Sequence, residues 1–292
     1  MSVLEKIGPP TVLVLSICNI CNFLCPQCAY RTPVARHYML VQLFEKVLAA
    51  AATAQISLIR FLGLNEPTLH PKIGLFLRLA REAATRTHLI SNGTFLLSNA
   101  RTEAICANPP DILEISLDAF HPHTFKRVRG QSATRLEQLS SGIRSLMVRR
   151  LTSLSPSFRD TKIVVSFVLH PGSGEEYSEF SAFWRREGVE VRGRGAHTFN
   201  GKARDSGMFL ESQLFNGKSC RFLEDRIFVD DMGSIRICNM DSTNEFILGR
   251  VDTEASLKEA WYHPLRIDII RRMEDGEPHA QCASCEFCSG VV

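Results

Sequence analysis

Between Val12 and Arg194, six short apolar runs alternate with longer stretches whose apolar positions recur at helical spacing. The runs at 12–17, 56–62, 87–91, 112–117, 162–169 and 189–194 read as strands. The stretches at 39–54, 71–84, 98–106, the segments up to 150, and 175–187 read as helices. Strand followed by helix, repeated, builds successive βα units around a parallel sheet. Six such units are two short of a closed eightfold barrel. The expected fold is therefore α/β, a partial (β/α)6 TIM-like barrel, with its ligands at the C-terminal ends of the strands. Past residue 200 the texture changes. Two short apolar runs, 226–229 and 234–237, flank Asp230-Asp231-Met232-Gly233 and read as a hairpin, and 253–273 reads as helical with a break at Pro264. The expected division is a barrel over 1–200 and a small C-terminal module over 201–292.

Composition excludes several classes. Of 292 residues, 45% are apolar and 22% charged, the profile of an ordinary globular chain and not of a disordered or fibrous one. Lys and Arg total 34 against 31 Asp and Glu, a net charge of +3 with no long basic block, so a nucleic-acid partner is not expected. The apolar run 11–20 is too short to span a bilayer, and 1–10 lacks the features of a signal peptide; no membrane association and a cytoplasmic location are expected.

The cysteines change the picture most. There are ten, in a chain expected to meet a reducing cytosol, where clustered thiols serve metal or redox chemistry. Cys18, Cys21, Cys25 and Cys28 lie together, Cys106 stands alone, and Cys220, Cys238, Cys282, Cys285 and Cys288 lie near the end. Cys21-Asn-Phe-Leu-Cys25-Pro-Gln-Cys28 follows the first strand directly. Three thiolates so close can wrap three corners of a cubane iron-sulfur cluster and leave the fourth iron open for chemistry. Alternative readings are a zinc knot that recruits Cys18, although zinc sites usually draw pairs from separated segments, and a plain electron-transfer cluster.

The landmarks that follow resemble those of radical S-adenosylmethionine (SAM) enzymes. Cys-x3-Cys-x2-Cys is followed by Tyr30, and Gly63-Leu64-Asn65-Glu66-Pro67-Thr68-Leu69 is similar to that family's Gly-Gly-Glu-Pro stretch. Ser91-Asn92-Gly93-Thr94 follows the third strand and Ser116-Leu117-Asp118 ends the fourth, so the likeness runs through nearly the whole chain. The resemblance implies that Cys21, Cys25 and Cys28 ligate a [4Fe-4S] cluster with an open iron site on which SAM binds. It also implies that Gly63, Glu66 and Pro67 serve the amino-group end of SAM, and Asn92, Ser116 and Asp118 its other polar groups. Leu64-Asn65 departs from the family's Gly-Glu-type run, and turn or cap chemistry is the alternative role for Asn92, Ser116 and Asp118.

The terminal cysteines, with Leu248-Gly-Arg-Val-Asp and Leu257-Lys-Glu-Ala-Trp261, resemble the shorter, twitch-type form of the SPASM/twitch branch. That implies an auxiliary [4Fe-4S] cluster on Cys220, Cys238, Cys282 and Cys285, with Cys288 spare; a structural zinc site is the alternative. The expected activity is generation of a 5'-deoxyadenosyl radical that abstracts hydrogen from a C–H bond, epimerising or dehydrogenating a hydroxylated, sugar-like small molecule. Because the barrel begins by Val12, a peptide substrate ranks second, as for a ribosomal-peptide epimerase or crosslinking enzyme; a non-catalytic zinc or electron-transfer protein is the different class. Expected partners are the small-molecule substrate, or a precursor peptide, and an external electron donor such as flavodoxin or ferredoxin. For epimerisation a donor with a weak bond to hydrogen must return a hydrogen atom; a thiol is the natural one, and Cys18 or Cys288 is the candidate, against plain packing for Cys18. Cys106 reads as a packing residue, and His121 and His123 as loop groups. Arg60, His88, Glu114 and His170 lie on strands where alternate residues face the lumen, without a fixed register.

Overall fold

A computed structural model describes residues 8–30, 32–83, 85–196, 220–238, 241, 245–283 and 285. Strands β1 (Val12–Leu15), β2 (Leu58–Phe61), β3 (Arg86–Ser91), β4 (Ile112–Ser116), β5 (Lys162–Leu169) and β6 (Glu190–Gly195) pair in sequence order, every pair parallel. Parallel neighbours need crossovers, and helices α1 (Val41–Thr53), α2 (Ile73–Glu82), α3 (Asn99–Ala107), α4 (Pro122–Arg129), α5 (Ala133–Thr152), α6 (Pro156–Arg159) and α7 (Gly174–Arg186) supply them. The sheet does not close. Its face under the helices is apolar: Leu13, Leu15, Ile59, Phe61, Leu89, Leu113, Ile115, Val165 and Phe167 are buried in one core with Phe44 and Phe76, whose rings stack 4.1 Å apart.

The alternate positions form the inner face, and here the register becomes definite. Arg60 pairs with His88, Ile90 with Glu114, and Ser116 with Ser166, which pairs with Arg192. Arg60, His88 and Glu114 therefore share the lumen side, as alternation allows. The first strand is shorter than its apolar run suggests. β1 ends at Leu15, although the Ser16 N–H still donates to Val229 O at 2.9 Å. From Ile17 the backbone turns to the 37–39 segment instead, with Met39 N–H donating to Ile17 O and a bridge joining Cys18 to Tyr38.

On its other side β1 accepts β7 (Arg226–Val229) in parallel, followed antiparallel by β8 (Ser234–Arg236) and β9 (Ile247–Arg250), so that nine strands form one sheet. The expected hairpin is β7–β8, turned at Gly233 with φ 82°, where a Cβ would stand 3.0 Å from Leu43 Cδ1. β9 has no clean alternation in sequence and was not anticipated as a strand. Short helices α8 (Arg221–Asp225), α9 (Ser256–Trp261), α10 (Pro264–Glu274) and α11 (Ala280–Ala283) complete the chain, and the break at Pro264 is real, with Pro264 opening α10. The Arg266 guanidinium lies 3.4 Å from the Trp261 ring, whose indole N–H donates to Gly8 O at 2.9 Å, tying this end to the start of the sheet. Cys106 is buried in α3, as packing demands. Among the described residues no helix is long and apolar enough to cross a membrane.

Candidate functional site

The loop after β1 carries the first thiols at the C-terminal edge of the sheet. Cys25 is buried, and Cys21 and Cys28 are half-buried. The Phe23 N–H points at Cys21 Sγ (3.4 Å), the Tyr30 N–H at Cys28 Sγ (3.3 Å), and Asn92 Nδ2 stands 3.9 Å from Cys21 Sγ. The Cys21 N–H donates to the Tyr30 hydroxyl at 3.0 Å, which holds the loop's two ends together. Arg129, packed 5.3 Å over the Phe23 ring, is the cation that faces Cys25. Burial pushes the Cys21 thiol up to about 12 and Cys25 in the same direction. Thiols so buried ionise only beside a strong positive centre, and N–H groups aimed at sulfur are the outer contacts that a ligated thiolate uses. The donor set fits a thiolate-held iron-sulfur cluster. Among the described residues, no three of His, Cys, Asp or Glu stand close enough together to hold a single metal ion.

Two carboxylates organise the backbone around this loop. Glu66 is fully buried; its Oε1 accepts from Thr68 N–H (3.1 Å), the Thr68 hydroxyl (2.6 Å) and the Ser91 hydroxyl (2.8 Å), and its Oε2 from Asn92 N–H (2.6 Å). Its side chain is thus committed to joining the loop after β2 to the loop after β3. Pro67 follows at the start of a one-turn helix. Gly63 sits so tightly that a Cβ would lie 2.8 Å from Ser16 Oγ. Asn92 bridges onward, Nδ2 to Asn22 Oδ1 (2.8 Å) and Oδ1 from the Thr94 hydroxyl (2.7 Å). Cys18 is fully buried beneath them, its S–H directed to Glu66 O at 3.5 Å and Ile20 O at 3.9 Å.

Asp118, just past β4, has no exposed surface and a left-handed backbone, φ 64°. Its carboxylate accepts from Gln27 Nε2 (3.2 Å), Arg129 Nη1 (3.1 Å) and Arg194 Nη2 (3.1 Å), so it ties the cysteine loop, α4 and β6 to one point. Ser116, two residues earlier on the lumen face, accepts from the Ser166 hydroxyl at 3.3 Å. Deeper in the lumen, Glu114 Oε2 meets His88 Nε2 (3.0 Å) and Arg192 Nη1 (2.6 Å). Burial raises Glu114, but the His88 hydrogen bond and the facing arginines outweigh it and hold the carboxyl down to about 2. His170 lies past β5 with Arg127 Nη2 at 2.6 Å, and the loop histidine His121 pairs with Glu179 at 3.1 Å. Asn22, Gln27, Arg129, Arg192 and Arg194 were not singled out in the sequence; Arg192-Gly193-Arg194 on β6, two like charges at period two, was the available signal.

At the far end, Cys220 before α8, Cys238 after β8, Cys282 in α11 and Cys285 just beyond line one small cavity of about 30 Å³, whose walls include Leu223 and Phe246. Four thiols from three separate segments, against apolar walls, fit a fully thiolate-ligated cluster. Asp241 and Gln281 also reach this cavity. Cys288 lies outside the described residues.

Residues 15–155 match the family model of the radical SAM superfamily. The fold is similar to SuiB of Streptococcus suis bound to precursor peptide SuiA, with TM-score 0.72 and 14% identity over 99% of this chain and 73% of that chain. It is also similar to BtrN in complex with AdoMet and 2-DOIA (TM-score 0.61, 13% identity, 97% of this chain and 93% of that chain). A third likeness is to anSMEcpe with bound AdoMet and Cp18Cys peptide (TM-score 0.66, 14% identity, 97% and 88%). At such identities the likeness is one of fold. No curated protein matches the sequence.

Proposed function

We propose that this chain, whose residues 15–155 match the radical SAM superfamily, is an enzyme of the SPASM/twitch type acting on a hydroxylated small molecule. In this reading Cys21, Cys25 and Cys28 hold a [4Fe-4S] cluster whose open iron takes SAM, and Cys220, Cys238, Cys282 and Cys285 hold an auxiliary [4Fe-4S] cluster. When bound and reduced by an external donor of the flavodoxin or ferredoxin kind, these groups would supply reductive cleavage of SAM to a hydrogen-abstracting 5'-deoxyadenosyl radical, and an electron acceptor.

The chain's own residues set the stage for that chemistry. Glu66 locks the loops after β2 and β3, and in this reading the backbone at Gly63 and Pro67 would serve the amino end of SAM. Asn92 and Ser116 line the same edge as hydrogen-bonding groups, and Asp118 positions the cysteine loop through Gln27 and Arg129. The barrel, over 1–200, would carry the radical chemistry, and 201–292 the auxiliary cluster. The observation that carries this reading is the pair of thiol clusters, one at the sheet's ligand-binding edge and one lining its own cavity.

BtrN, with 93% of its length matched, was solved with a small molecule, 2-DOIA, and that favours a compact substrate. SuiB and anSMEcpe were solved with peptides, which keeps a peptide epimerase or crosslinking enzyme as the second reading. Epimerisation and dehydrogenation separate at one step: whether a thiol of Cys18 or Cys288 returns a hydrogen atom to the substrate carbon. Turnover in deuterated water tests it. Deuterium fixed at the reacting carbon, and lost in Cys18→Ala or Cys288→Ala, supports an epimerase; an oxidised product without deuterium makes the enzyme a dehydrogenase.

A further inference from the structure

The lumen face of β6 is charged in an unusual way. Arg192 and Arg194 alternate with Gly193 and Gly195 on β6, an edge strand of the sheet, so both guanidinium groups stand on the same side, toward the lumen. Gly193 between them packs closely on Tyr177, where a Cβ would lie 2.9 Å from the far end of that side chain. Each arginine is anchored by one deeply buried carboxylate. Arg192 Nη1 meets Glu114 at 2.6 Å and Arg194 Nη2 meets Asp118 at 3.1 Å, while the two arginine side chains remain 41% and 35% exposed against 4% and 0% for their partners. One end of each fork is thus fixed in place, and each arginine side chain keeps part of its surface open to solvent. A guanidinium carries five donors, and the buried carboxylates occupy a minority of them.

The charge balance points the same way. Arg60, Arg129, Arg192 and Arg194 gather on Glu114 and Asp118, and burial pushes His88 down. On this face, among the described residues, these four guanidinium groups stand against Glu114 and Asp118, with Glu66 also facing Arg129 and the pair Asp225 and Arg226 flanking Arg60. Arg60, at the floor, has an Nε with no hydrogen-bond partner. With Arg129 allotted to the thiols and Glu66 beside it, Arg60, Arg192 and Arg194 still outnumber Glu114 and Asp118, and an oxyanion would be held there by charge-assisted hydrogen bonds. A polycationic substrate would be repelled there.

We propose that Arg192 and Arg194 form an oxyanion receptor at the mouth of the lumen, which selects a substrate bearing a carboxylate or phosphate group. The proposal rests on the radical SAM reading and narrows its hydroxylated substrate to an acidic one. Glu114 and Asp118 act as positioning residues that hold the two forks rigid. The carboxylate of SAM has the same chemistry, so the test has separate arms for the two sources.

The test uses anaerobically reconstituted protein with saturating SAM, titrated calorimetrically with inorganic phosphate as the simplest oxyanion. Wild-type protein should bind phosphate, the Arg192→Gln/Arg194→Gln double variant at least tenfold more weakly, and the Arg192→Lys/Arg194→Lys variant in between. Glutamine keeps an amide donor for each buried carboxylate, and circular dichroism verifies the fold of each variant. No phosphate binding by wild-type protein, or equal binding by the glutamine double variant, overturns the receptor. SAM is titrated separately. An unchanged SAM affinity in the double variant assigns the receptor to substrate, whereas a tenfold loss assigns it to the cofactor's carboxylate and overturns the substrate proposal. Formation of 5'-deoxyadenosine by the wild-type preparation is scored on its own, so that failure of the radical SAM reading is seen apart from failure of the receptor.

Discussion

Replacing Asp118 by Asn removes a charge and almost nothing else. The amide is isosteric with the carboxylate, and Asn accepts the left-handed backbone at φ 64° as readily as Asp does. What changes is the partner left to Arg129, whose side chain is 9% exposed and whose Nη1 lies 3.1 Å from the carboxylate. Stripping one member from a buried ion pair typically costs about 3–5 kcal/mol, since the other charge stays desolvated. Arg194, a third exposed, adds less than about 1 kcal/mol because water screens it. A loss of about 3 kcal/mol should lower the urea midpoint of the reconstituted protein by roughly 1 M, taking a slope near 3 kcal/mol/M. Far-UV circular dichroism reads the transition. Adding Arg129→Met to Asp118→Asn removes the stranded charge and should recover more than half of the shift. A single-variant midpoint within about 0.2 M of wild type, or a double variant worse than the sum of its parts, would refute the buried-pair account.

Further outcomes follow from other contacts. Gly63→Ala places a methyl 2.8 Å from Ser16 Oγ and should cost about 1–3 kcal/mol while weakening SAM binding, read by calorimetry; unchanged affinity would remove Gly63 from the cofactor edge. Glu114, held to about 2 in the folded chain, contributes stability that is present above the ordinary carboxylate range and lost as pH falls from about 4.5 toward 2. Glu114→Gln should therefore flatten the acid limb of thermal stability by up to about 3 kcal/mol, and an unaltered limb would contradict the pairing with His88 and Arg192. Cys282→Ser should roughly halve the iron content yet leave some uncoupled SAM cleavage, whereas full iron retention would remove Cys282 from the auxiliary site.

The architecture was legible because the two periods of the sequence coincide with real structure. Period-two apolar residues such as Leu13, Leu15, Ile59 and Phe61 do lie under the helices, and the breaks at Pro264 and Gly233 fall where the chain turns. The cysteines were legible because spacing along one loop survives folding. Two things were not. β9 carries Gly249 in place of a periodic side chain, so its pairing with β8 depends on a neighbour in space. The carboxylate networks join residues as far apart as Gln27, Asp118 and Arg194, and a single strand's alternation says nothing about which partner lies across the lumen. Glu66 illustrates the gap most clearly: its place in the motif was evident, but its four hydrogen bonds to Thr68, Ser91 and Asn92 assign its side chain to holding loops together.

The central claim is that Cys21, Cys25 and Cys28 hold the centre that cleaves SAM. The most direct measurement is 5'-deoxyadenosine formation by anaerobically reconstituted, chemically reduced protein, compared between wild type and a Cys21→Ala/Cys25→Ala/Cys28→Ala variant whose fold and auxiliary iron are verified. Wild-type protein should release 5'-deoxyadenosine and the variant none; equal release by both, or none from a wild-type protein loaded with about eight iron and eight sulfide, would contradict the account.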